Sequence, residues 1–196
     1  MEILASGAGG ARVRTRAATR LGWLAAVLAV YLMPSPLSVS AADVPLETAV
    51  MATYIVKFGP FVDWPPAAFA SPAAPLNICV AGDALGGAID EAAAGQKVGE
   101  HPIAVRHITS VPADLPCHIL FVSGSPSVVA AALRAVAEAP ILTVTNEPDG
   151  SAATGTINFV LQNNHVRFEI DNARALHKGL RLSSQLLALA INVGQR

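Results

Sequence analysis

The chain has 196 residues, of which 14% are charged, with a formal net charge of −1. It offers no basic excess to neutralise a phosphate backbone, which disfavours nucleic-acid binding. Although 53% of the residues are hydrophobic, the longest uncharged apolar run, residues 21–33, stops short of the ~20 residues needed to cross a bilayer.

That run belongs to an N-terminal leader. Arg12, Arg14, Arg16 and Arg20 form a basic segment, LGWLAAVLAVYLM an apolar one, and small residues at Val39 and Ala41, or Ser40 and Ala42, suit cleavage. Residues 1–41 are therefore expected to be a signal peptide, leaving residues 42–196 as a single exported domain with room for a proper core. Without the leader, 9 basic residues face 13 acidic ones, a net charge of −4. Cys79 and Cys117 both lie in the exported part, where an oxidising compartment favours a disulfide between them.

Residues 46–58, LETAVMATYIVKF, read as a helix ended by Gly59-Pro60. Tyr54, Phe58, Phe61 and Trp64 recur at helical spacing, yet Pro60 interrupts them by lacking an N–H and clashing with the preceding turn. The segment FVDW then runs extended into Pro65-Pro66. The break divides the aromatics, so that Tyr54 and Phe58 dock on a sheet while Phe61 and Trp64 are aimed separately.

Beyond the loop AAFASPAAP the pattern alternates. Strands are predicted at 76–82, 101–108, 117–123 and 140–146, with helices at 83–95 and 125–139, the second capped by Ser125 with Pro126 at its first position. Continuous apolar strands alternating with helices imply a parallel sheet covered on both faces. The strands 155–162 and 165–170 form an antiparallel hairpin across Asn163-Asn164. A short helix then starts at Asp171 or Asn172 and stops at Gly179. Leu182, Leu186, Leu189 and Val193 predict a final helix over 180–194. The fold class is α/β, with a central, mostly parallel sheet, a C-terminal antiparallel hairpin and helices on both faces.

Reactive constellations are sparse. GDALGG at 82–87 lacks the spacing of a phosphate loop, and Asp83 would repel a phosphate. His101, His107, His118, His165 and His177 show no paired metal-ligand spacing, and SGSPS is not a nucleophile elbow. No metal, cofactor or enzymatic activity is expected; an enzyme would need His107, His118 or His177 folded beside a carboxylate. Arg167 and Glu169 share one face of their strand by its period of two.

Taken together, A-x-Y-I-x-x-F at 52–58, FVDWP at 61–65, LNICVAGD at 76–83, CHILFVS at 117–123, ILTVTN at 141–146, GTINFVLQNNHVRFEI at 155–170 and GLRLSSQLLALA at 179–190 resemble the YfiR family of secreted bacterial proteins. The resemblance implies a non-enzymatic periplasmic α/β protein, often a dimer. Such a protein represses an inner-membrane diguanylate cyclase through its periplasmic domain and so limits cyclic-di-GMP and biofilm formation. Gly59-Pro60 departs from the family, as does Asp171, where an asparagine commonly closes the R-F-E-I-N motif. Phe61, Trp64, Arg167, Glu169 and Asp171 are the expected partner contacts. The alternative is a periplasmic small-molecule sensor or solute-binding protein with a pocket beside the carboxyl ends of the parallel strands.

Overall fold

The computed structural model describes residues 45–148 and 150–194; the leader expected over 1–41 lies outside them. Helix α1, Leu46–Phe58, stops where the proline demands. Gly59–Phe61 tightens into a 3-10 turn with Pro60 in its first positions, where no N–H is needed. Gly59 packs closely on the edge strand, since a Cβ there would lie 2.7 Å from Val98 Cγ2 and that side chain would have to shift. The chain then enters the two-residue strand β1, Val62–Asp63.

Strands β2 (Leu76–Ala81), β4 (His101–Ile108), β5 (Ile119–Val122) and β6 (Leu142–Thr145) follow, with β3 (Lys97–Val98) as a short edge strand. Helices α2, Ala88–Ala93, and α3, Pro126–Ala135, connect them. The hairpin β7, Ile157–Gln162, and β8, His165–Asp171, turns on Asn163 and Asn164, both at positive φ as a two-residue turn requires. Helix α4 (Asn172–His177), β9 (Arg181–Leu182), α5 (Ser184–Leu189) and β10 (Asn192–Gly194) complete the order.

The main sheet runs β10-β8-β7-β6-β5-β2-β4-β3. Its pairs from β4 through β7 are parallel, whereas β7–β8 and β3–β4 are antiparallel. β1 and β9 form a separate antiparallel pair, with Val62 opposite Leu182.

Alternation along the strands divides the core. Ile119, Phe121, Leu142, Val144, Phe159 and Phe168 face α1 and α2, whereas Leu120, Val122 and Cys79 face Val129, Ala132 and Val136 on the α3 side. On the first face Phe159 and Phe168 are directly paired across the hairpin. Phe58 packs on both, 5.9 Å and 5.3 Å between ring centroids, and Tyr54 edges onto Phe168 at 5.6 Å. This cluster fastens the first helix to the last hairpin.

The predicted final helix is shorter than its leucine spacing suggests. Leu182 belongs to β9, α5 covers only Ser184–Leu189, and Asn192–Gly194 pairs in parallel with β8. Leu186 is buried, but Leu189 is 62% exposed, so the stripe is not one packed face. Sheet pairing has overridden the local period here. The helix predicted at 83–95 likewise contracts to 88–93, since Gly86 at φ +49° is held in a turn.

Cys79 and Cys117 are disulfide-bonded, tying β2 to the chain entering β5. The closed loop of 38 residues contains α2, β3 and β4. Replacing both cysteines by alanine should lower stability by about 3–4 kcal/mol on the chain-entropy estimate, measured by urea unfolding. Phe168→Ala should cost about 3–5 kcal/mol by the same measurement, since it opens the aromatic cluster.

Candidate functional site

The five residues expected at a partner surface fall into two groups. Phe61 and Trp64 are half-buried against the core on the α1 side. The Phe61 carbonyl accepts the Ser183 N–H at 2.9 Å, which ties β1 to the chain after β9. Trp64 meets Phe69 and His118 edge-on, and its indole N–H is buried without a hydrogen-bond partner among the described residues.

Arg167 and Glu169 project from the opposite face of the sheet, because Phe168 and Ile170 between them take the core face. Arg167 is exposed. Glu169 accepts a hydrogen bond from Asn192 Nδ2 at 3.4 Å, across the pair with the edge strand β10. Asp171 has local work to do. Its carboxylate accepts the Arg174 N–H at 2.9 Å as the cap of α4 and pairs with Arg174 Nε at 3.3 Å. Glu169 and Asp171 meet in a polar hollow of about 600 Å³ that also includes Asn158 and Asn192. The structure therefore joins Arg167, Glu169 and Asp171 on one face and holds Phe61 and Trp64 apart from them.

Behind Trp64 lies an arrangement that the sequence did not announce. Phe69 is stacked between His101 and His118, with ring centroids 4.0 Å and 4.2 Å away. His118 Nδ1 accepts the Asn77 N–H at 3.0 Å, which leaves Nε2 to donate to the Ala68 carbonyl, also at 3.0 Å. His101 holds the far end of the same loop through Nδ1 and the Ala74 carbonyl at 2.6 Å. Both His118 nitrogens are used only in the neutral ring, and burial pushes its pKa below the ordinary histidine value despite the Ala68 bond. The loop between β1 and β2 is thus pinned by two histidines. The adjacent Cys117 bridge fixes one of them.

His107 Nε2 lies 2.8 Å from Asp90 Oδ2 and His177 Nε2 lies 3.2 Å from Glu138 Oε2, so two histidines do meet carboxylates. All four side chains are at least half exposed, as in ordinary surface pairs, and among the described residues neither pair is joined to a nucleophile by a hydrogen bond. Among the described residues no group of three or more His, Cys, Asp or Glu could hold a metal ion. The hollow at the carboxyl ends of the parallel strands, about 520 Å³ beside Gly82, Asp83 and Ser123, is lined by no cation among the described residues.

Lys178 is the exception. It is 6% exposed, its Nζ donates to the Ile141 carbonyl at 3.3 Å, and no carboxylate among the described residues pairs with it. Burial, reinforced by the nearby Arg174 charge and only partly opposed by Glu138, pulls its pKa down to about 8.

The fold is thus a mostly parallel α/β sheet closed by an antiparallel hairpin, with Arg167, Glu169 and Asp171 on the outer face of its last long strand. The chain belongs to the YfiR/HmsC-like family, whose model matches residues 48–191. Its match covers every element from α1 to α5 almost completely. No curated protein matches the chain.

The unpaired ammonium gives a test with a defined sign. Below about pH 8 Lys178 carries its charge both folded and unfolded, and the fold bears the cost of burying it. Between about 8 and 10.5 the folded protein releases that proton while the unfolded chain keeps it, so wild-type stability rises relative to a neutral variant. Lys178→Met should therefore raise Tm at pH 7, and its advantage should shrink across that interval in paired thermal melts.

Proposed function

We propose that this protein is a periplasmic, non-enzymatic regulatory binding protein that represses an inner-membrane diguanylate cyclase by binding its periplasmic domain. By doing so it limits cyclic-di-GMP and biofilm formation. The observation that carries this reading is the family match over residues 48–191. Export by cleavage of the leader at 1–41, with residues 42–196 working as one domain, completes it. Among the described residues no helix is long and apolar enough to cross a membrane.

Repression of this kind is mass action. If the protein binds the inactive arrangement of the cyclase more tightly than the active one, occupancy shifts that equilibrium by the difference in affinity. Arg167 and Glu169 supply the charged contacts, with Asp171 beside them holding the start of α4. The neighbouring edge adds apolar surface, since Leu189 and Ile191 are 62% and 44% exposed beside β10. β10 ends the sheet, and an edge strand offers unpaired backbone groups to another chain. Phe61 and Trp64 form a second contact region on the other face, and a homodimer is compatible with two such regions.

The mature protein should retain the periplasmic domain of a diguanylate cyclase encoded beside it in a pull-down. Arg167→Glu should weaken retention several-fold with Tm unchanged, because the side chain is exposed. Failure of the wild-type protein to retain that domain would count against the function, and full retention by Arg167→Glu against the assigned surface.

A further inference from the structure

Lys178 is part of a larger constellation. A pocket of about 500 Å³ is lined by Arg134 near the end of α3 and by Arg174, His177 and Lys178 at α4, with Leu133 and Ala153 among its apolar walls. Helix α3 returns from the carboxyl end of β5 to the amino end of β6. The pocket therefore opens at the opposite end of the sheet from the usual ligand crevice of open α/β folds.

Its charges are unevenly matched. Arg174 is occupied by Asp171 and by the Thr154 carbonyl, to which its Nη1 donates. His177 and Glu138 pair with each other at the rim, both largely exposed. Arg134 Nε donates only to the Ala130 carbonyl within its own helix, at 3.2 Å. Among the described residues neither Arg134 nor Lys178 has a carboxylate partner. A buried ammonium with one carbonyl partner keeps unused donors, and an ion in that position costs stability unless an opposite charge reaches it.

We infer that this pocket binds a small organic carboxylate with an apolar body, its carboxylate seated against Lys178 and Arg134. Glu138 also lines the pocket and its charge partly offsets that of Lys178, but it pairs with His177 at the rim, so the buried ammonium and the exposed Arg134 still match a single negative charge. The alanine and leucine walls match a hydrocarbon or aromatic remainder, as small-molecule sites commonly combine many apolar contacts with a few polar anchors. Inorganic phosphate, with more charge and no apolar part, matches less well. The site is lined mainly by residues at the ends of α3 and α4, and its occupancy is a property of this chain alone.

Isothermal titration of the mature protein at pH 7 tests it, using hexanoate and benzoate, their amides hexanamide and benzamide, and inorganic phosphate. At least one carboxylate should bind saturably, with its amide at least about tenfold weaker, as loss of a charge-assisted hydrogen bond implies. Lys178→Met and Arg134→Gln should each weaken that carboxylate, the first by at least about tenfold. Thermal melts establish that both variants are folded. Binding by neither carboxylate, equal binding of acid and amide, unchanged affinity in folded Lys178→Met, or tighter binding of phosphate would each overturn the inference. No cyclase takes part in the measurement, so its failure leaves the regulatory reading standing.

Discussion

The register of the C-terminal hairpin is the constraint on which the rest of the structure depends. Phe159 lies opposite Phe168, and both receive Phe58 from a helix a hundred residues earlier in the chain. Because strand side chains alternate, this one pairing decides the direction of every other residue of β8. A slip by one residue would drive Arg167 and Glu169 into the core and expose Phe168 and Ile170. Two buried charges without partners would result, a penalty that no local rearrangement could offset. The asparagine pair at the turn and the aromatic pair along the strands enforce the same register.

Both candidate sites follow from that register. It turns Arg167 and Glu169 outward beside β10, and it ends β8 at Asp171 with the carboxylate free to cap α4. Helix α4 in turn carries Lys178 back to the end of α3, where Ile141 receives it. A charged outer surface and an open pocket floored by Lys178 are thus two consequences of one strand alignment. The disulfide and the two loop histidines secure the loop between β1 and β2, where Trp64 and Phe69 sit on the segment entering β5.

Much of this architecture was legible in the sequence. ILFV within 117–123 is apolar at every position because it lies in the middle of a covered sheet, and all four residues are buried. Asn163-Asn164 announced a two-residue turn, and Gly59-Pro60 announced the end of α1. The last helix was misread because Leu182, Leu186, Leu189 and Val193 satisfy a helical period, while strands β1 and β8 claim its two flanks through partners far away in sequence. Periodicity reports local preference and is silent about such partners. The burial of Lys178 was likewise invisible, since HKG at the end of a short helix reads as a solvated cap until the Ile141 carbonyl is brought to it from a distant part of the chain. His118 was discounted as a scattered histidine; its neighbour Cys117 was the only hint that it is fixed in place.

The central claim is that this fold works by presenting the β8–β10 side of its sheet to another protein. Hydrogen exchange of the mature protein, alone and with a saturating amount of the cyclase periplasmic domain, addresses it most directly. The account predicts slowed exchange at Asn192–Gly194 and along the adjoining β8, with the β3–β4 edge unchanged. Protection confined to the β3–β4 edge, or no protection anywhere at saturation, would contradict it.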